Sequence, residues 1–105
     1  MKNITPQQLK EKMKLARRGG NKENFILLDV RTPEEFAENN IEGAISLPLQ
    51  EISQENLRRV SLDDKKKEIV VYCRAGSRSA TAAAILNNFG FTNVYNLEGG
   101  ISNWK

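Results

Sequence analysis

The chain has no histidine among its 105 residues. Imidazole is therefore absent as a base. That excludes Cys-His and Ser-His-Asp nucleophile systems, and metal sites built on histidine. Cys73 is the only cysteine. A lone thiol makes no intrachain disulfide, no Cys-x-x-Cys redox pair and no multi-thiolate zinc site, so no metal is expected and a reducing, cytoplasmic setting fits. Long apolar runs are missing too. Nothing approaches membrane-spanning length, and the start Met1-Lys2-Asn3-Ile4-Thr5-Pro6 lacks the apolar stretch of a secretory signal. Charge is mixed, with 16 basic and 13 acidic residues and a net of +3. The basic residues form no long stripe with aromatics, so neither nucleic acid nor a membrane is expected as a partner. The densest charge, Asp63-Asp64-Lys65-Lys66-Lys67-Glu68, reads as a solvated loop before a strand.

What is present is a regular alternation of short strand and helix signals without repeats or linkers. It predicts a single α/β domain over residues 1–105, with a central, mostly parallel sheet. Thr5-Pro6-Gln7-Gln8 predicts a helix start with Thr5 as N-cap, Pro6 in the first turn and Gln8 closing a capping box. Leu9, Met13 and Ala16 then share one face, and Gly19-Gly20 ends the helix. Residues 25–30 (Phe-Ile-Leu-Leu-Asp-Val) predict a strand. Thr32 and Glu35 repeat the capping box before a short helix. A turn at Gly43 leads to a short strand stopped by Pro48. Residues 49–60 are weakly helical in pattern. Ile69 to Tyr72 predicts the central strand, Ser79 to Phe89 a helix ended by Gly90, and Asn93 to Asn96 a last strand. Gly99-Gly100-Ile101 leads into a final turn with Trp104, which is expected to be a core plug.

In a parallel sheet ligands bind outside the carboxyl ends of the strands. Asp29 and Arg31 end one predicted strand, Cys73 ends another and Gly99-Gly100 follows a third, so these loops should converge on one pocket. Cys73 opens Cys73-Arg74-Ala75-Gly76-Ser77-Arg78-Ser79 at a strand-to-helix turn. Such a turn presents unpaired backbone N–H groups and the positive end of a helix dipole, which favour a thiolate and attract an anion. A model thiol near pKa 8.5 is only a few per cent ionised at neutral pH, and lowering it by about two units takes about 2.7 kcal/mol of differential stabilisation. Amides, dipole and the guanidinium groups of Arg74 and Arg78 together can supply that. Ala75 and Gly76 let the backbone curl around the sulfur, and Ser77 and Ser79 can cap the helix or hydrogen-bond an anion. The alternative is that Cys73 is merely a small buried hydrophobe. Packing alone, however, does not call for the arginines and serines that follow it. Asp29 and Arg31 read as an ion pair that supports the pocket.

Four stretches resemble the single-domain rhodaneses. They are Leu28-Asp29-Val30-Arg31 with Glu34-Glu35-Phe36, then residues 40–48, then residues 70–79, and finally residues 97–104 (Leu-Glu-Gly-Gly-Ile-Ser-Asn-Trp). The resemblance implies a rhodanese-like fold of about five strands with helices on both faces. It implies a thiosulfate sulfurtransferase in which the Cys73 thiolate takes sulfane sulfur from thiosulfate or a similar anionic donor. A persulfide forms and passes its sulfur to cyanide, a thiol or a protein. Loop residues 74–79 would stabilise it, and Arg74 and Arg78 would bind the donor. No cofactor is implied, and a monomer is expected. Where the family often has a histidine, this chain has Asn40, which should cost little because that histidine is not the nucleophile.

Two other readings share these residues. A sulfur-relay protein would share every loop residue and differ only in its acceptor, whereas regulatory modules of this fold usually lack the cysteine that this chain keeps. Phosphatases and arsenate reductases on the same fold favour Cys-x5-Arg, whereas here the arginine comes one position early, at Arg78, and Asp29 is the one candidate acid for a leaving group.

Overall fold

The computed structural model describes residues 2–19 and 25–105, without the side chains of residues 17–19. Five strands, β1 (Lys2–Ile4), β2 (Ile26–Asp29), β3 (Ile45–Ser46), β4 (Ile69–Tyr72) and β5 (Val94–Leu97), form one sheet in the order β1-β5-β4-β2-β3. Every pairing is parallel. Four helices accompany it: α1 (Pro6–Gly19), α2 (Pro33–Glu38), α3 (Gln54–Arg59) and α4 (Ser77–Asn88). The expected end of the first helix falls partly on Gly20, which lies outside the described residues. No described helix is long and apolar enough to cross a membrane.

The alternation of side chains along each strand produces two cores. Leu28, Val30, Ile69, Val71 and Val94 face Leu57 of α3 and Ala82, Ala83 and Leu86 of α4. Leu27, Val70, Tyr72 and Leu97 face Leu9 and Met13 of α1, with Trp104 and Ile101 against the same cluster. Both faces are thus covered, as an all-parallel sheet requires, and β4 is fully buried along its length. The same parity decides where the chemistry goes. Cys73 follows Val71 into the α4 side, and Asp29 and Tyr72 share the α1 side.

Several boundaries differ from those the sequence predicts, for local reasons. β1 is not among the expected strands. It has only three residues, and only Ile4 is buried, so it carries no pattern that a sequence can display. Residues 49–60 do not form one helix. A 3-10 turn at Leu49–Glu51 is followed by α3, whose N-cap Ser53 accepts from the Asn56 N–H. α4 begins at Ser77 rather than Ser79, because Gly76, with φ +119°, is its N-cap. Neither Ser77 nor Ser79 caps it, and Ser79 is fully buried inside the helix. Gly90 ends α4 as expected, in a Schellman arrangement in which Phe91 N–H reaches Leu86 O and Gly90 N–H reaches Asn87 O. The last strand runs one residue later than expected. Both capping boxes form: Thr5 and Gln8 exchange bonds of 2.9 and 3.1 Å, and Thr32 and Glu35 bonds of 3.0 and 3.2 Å.

Two tertiary contacts position the loop after β4. The first is a close approach. Ile101 N–H and Ser102 N–H donate to the carbonyls of Cys73 and Arg74, each at 3.0 Å, and Ser102 Oγ also donates to Arg74 O at 2.8 Å. Gly100 permits this: it has φ +60°, and a Cβ there would stand 2.4 Å from Arg74 O and 2.5 Å from Cys73 O. The second is an ion pair between α2 and α4. Arg78 Nη1 and Nη2 donate to the two carboxylate oxygens of Glu35 at 2.8 and 3.1 Å. Arg78, followed by the Thr32 N–H, holds the Glu35 carboxyl well down, at about 2 against an ordinary 4.5.

Gly100→Ala must displace backbone, so we expect a loss of about 1–3 kcal/mol, or roughly 5–20 °C in Tm, by thermal unfolding. A variant as stable as the parent would show that the loop yields freely. For Glu35 the folded pKa lies below the unfolded one, so its stabilising effect is present above about pH 4.5 and is lost as pH falls toward 2. Acid unfolding curves of the parent and Glu35→Gln should therefore differ between about pH 5 and 7 and converge near about pH 2.

Candidate active site

The order of strands reverses between β2 and β4, and the carboxyl ends of these two strands form the crevice where α/β sheets bind ligands. Cys73 sits at this point, in the turn from β4 into α4. Its residue is only 1% exposed, so the loop leaves a sliver of it open. Gly76 N–H donates to Sγ at 3.0 Å, and Ser79 Oγ lies 3.4 Å from Sγ. Burial pushes the thiol pKa up. The Ser79 hydroxyl and the amides of Ser79, Gly76 and Ala75 pull it down, and the net shift is downward. The amides are available because the loop's first two carbonyls are turned away toward residues 101 and 102, and because no side chain caps α4. Oriented dipoles, rather than a base, favour the thiolate form of this sulfur.

The two loop arginines take different positions. Arg78 is bidentate on Glu35, and its charge still couples to Cys73. Arg74 is exposed and has no ion pair among the described residues. It borders a cleft of about 300 Å³ together with Arg31, Glu35, Glu38, Asn39, Ile101 and Ser102. The three expected loops reach this cleft through Arg31, Arg74 and Ile101 with Ser102, whereas Asp29, Cys73 and Gly99-Gly100 do not line it. Ala75 is exposed and Ser77 is exposed at the first turn of α4, whereas Gly76 supplies both an amide to the sulfur and the left-handed turn.

Asp29 and Arg31 form the ion pair that their spacing suggests. Arg31 Nη2 reaches Asp29 Oδ2 at 2.7 Å, and Arg31 and Asp29 are 3% and 0% exposed. Asp29 also accepts the Arg31 N–H at 2.9 Å. Arg31 then donates to Asn39 O at 2.6 Å and lies over the Tyr72 ring. Burial lowers the guanidinium's pKa and the Asp29 carboxylate raises it, with a net rise. Tyr72 Oη accepts the Ile41 N–H at 3.0 Å, and burial, reinforced by Asp29, pushes its phenol pKa up. Asp29 and Arg31 therefore neutralise each other, with Arg31 in the wall of the cleft and Asp29 buried behind it. Asn40 donates to Phe36 O at 2.9 Å and is exposed. Trp104 is half-buried against the α1-side core, beneath Lys10 Nζ at 5.2 Å.

Two residues of the site escape a reading of the sequence. Glu35 is disguised by its capping role, which has a local signature, whereas its bond to Arg78 spans 43 positions. Asn96 looks like an ordinary strand end, yet it hydrogen-bonds both Ser79 and Gly76. A polar residue in the interior of an otherwise apolar strand is the signal available for it.

The rhodanese-like domain profile matches residues 5–105. A sulfurtransferase of Allochromatium vinosum is 40% identical over 90 residues, covering 86% of this chain and 80% of its own length. The thiosulfate sulfurtransferase PspE of Escherichia coli is 39% identical over 72 residues, covering 69% and 67%. The crystal structure of SSP1007 from Staphylococcus saprophyticus superposes with a TM-score of 0.79 at 31% identity, covering 100% of this chain and 94% of that one. The family match spans residues 5–105 and the structural match agrees with the parallel sheet, so the chain belongs to the rhodanese-like family, whose members include sulfurtransferases.

Proposed function

We propose that the protein is a thiosulfate sulfurtransferase that works through a persulfide on Cys73. The observation that carries this reading is the pair of donors at Sγ. A sulfur that accepts the Gly76 N–H at 3.0 Å, with the Ser79 hydroxyl 3.4 Å away, is drawn toward the thiolate without any base. The Cys73 thiolate attacks the outer sulfur of thiosulfate. The S–S bond of the donor breaks, and sulfite leaves with its electron pair. The outer sulfur, now bound to Sγ, carries the negative charge. An incoming nucleophile, such as cyanide or a thiol, then attacks that outer sulfur and returns Cys73 as the thiolate. The result is double displacement. The loop amides stabilise the anion at each stage, as preorganised donors do for an oxyanion.

The arginines divide the work. Arg74, exposed beside the cleft and without an ion pair among the described residues, draws in the anionic donor. Arg78 acts through its field on the sulfur while Glu35 keeps it in place. Asp29 and Arg31 support the cleft wall. Because Cys73 is nearly covered, a compact donor suits the site better than a bulky one. No cofactor enters the scheme. The protein acts in the cytoplasm as a monomer, and its acceptor is a small thiol, cyanide or a protein.

Intact-protein mass spectrometry tests the chemistry directly. Incubation with thiosulfate should add one sulfur atom, cyanide should remove it, and Cys73→Ser should never acquire it. A parent protein that gains nothing while its thiol still alkylates would overturn the reading and direct the search to other donors or to an oxyanion substrate. In steady-state assays Arg74→Ala should raise the thiosulfate KM about tenfold with a much smaller change in kcat, the signature of lost binding that is uniform along the reaction. Arg74→Lys should recover part of the loss. An unchanged KM would remove Arg74 from the donor site.

A further inference from the structure

Asn96 lies on β5, opposite Val71 of β4, and is 8% exposed. Its side chain ends beside the loop that holds Cys73. Nδ2 donates to Gly76 O at 3.3 Å, and Oδ1 accepts from Ser79 Oγ at 2.5 Å. The amide has one sensible orientation, because the reverse would set Oδ1 against the Gly76 carbonyl, acceptor against acceptor. Ser79 Oγ is also 3.2 Å from Gly76 O and 3.4 Å from Cys73 Sγ. It has a single proton for three acceptors. Gly76 O already receives the Ala80 N–H at 3.1 Å and Asn96 Nδ2, which fill its two lone pairs. The contest is therefore between Asn96 Oδ1 and the sulfur.

We propose that Asn96 is a positioning residue that holds the Ser79 hydroxyl proton while Cys73 is a thiol and yields it when the sulfur becomes charged. A thiol is a weak acceptor, and a thiolate is a strong, charge-assisted one. Turning the hydroxyl to the sulfur leaves Asn96 Oδ1 buried without that donor, a cost incurred each time the thiolate forms. Asn96 is thus a brake on ionisation. It keeps the resting sulfur less reactive than the amide cradle alone would make it, and it leaves a donor ready for the anion. The inference rests on the reading that the Cys73 thiolate is the reactive species.

The hydrogen bonds of Asn96 go to Ser79 and Gly76, not to the charged groups near the sulfur. Arg78 of α4 couples to Cys73 and is paired with Glu35 of α2, Asp29 at the end of β2 couples to Arg78, and Arg74 stands on the loop itself. The test is a titration of the Cys73 thiolate by ultraviolet absorbance and by the pH profile of alkylation. Asn96→Ala should lower the midpoint by about one pH unit, a tenfold change in the thiolate-to-thiol ratio. Ser79→Ala should raise it. In the Ser79→Ala background, Asn96→Ala should change nothing. Asn96→Leu, which fills the space, should shift the midpoint in the same direction as Asn96→Ala. A midpoint that stays or rises in both Asn96 variants, or that falls equally without Ser79, would overturn the proposal. Loss of cooperative unfolding in both would do so too, by making Asn96 a core residue alone. The titration needs no sulfur transfer, so a parent protein that fails to load sulfur would sink the proposed reaction and leave this result standing.

Discussion

The carbonyls of Cys73 and Arg74 are held by the amides of Ile101 and Ser102, and the geometry of the site rests on that contact. A peptide unit directs its N–H and C=O to opposite sides. With the carbonyls engaged elsewhere, the following amides remain for the sulfur. The contact is possible because Gly100 has no Cβ and occupies a left-handed conformation. It also joins the end of β5 to the end of β4. The segment after the last strand thereby becomes part of the cradle, with Ser102 bound to a residue 28 positions earlier.

The electrostatics of the site follow from how its charges are paired. Asp29 and Arg31 neutralise one another in a buried pair, and Glu35 holds Arg78. The field at Cys73 is therefore set mainly by dipoles: amides, one hydroxyl and the start of α4. Burial works against the thiolate, and the donors outweigh it. The balance favours the thiolate in a sulfur that stays covered from solvent.

Much of this is legible in the sequence because it is local. Both capping boxes, the Gly90 helix end, the strand before Cys73 and the ion pair between Asp29 and Arg31 depend on residues a few positions apart. Cys73 stands out as the sole thiol, at a strand-to-helix turn. β1 is not legible, since three residues with one buried side chain make no pattern. Nor is the start of α4, where the positive φ of Gly76 overrides the capping preference of the serines. Arg74 and Arg78 look equivalent in the sequence. They differ because Glu35 pairs with only one of them.

Residue order alone is enough for the fold class, the helix ends that carry caps, the candidate nucleophile and the exclusion of imidazole chemistry. These follow from periodicity, turn chemistry and residue identity, all short-range properties. Three features come instead from the folded chain: which arginine is unpaired, why the amides face the sulfur, and the competition between Asn96 and Cys73 for the Ser79 proton. Each rests on contacts between distant parts of the chain, whose directions are set by strand register and by the side of the sheet to which each residue turns.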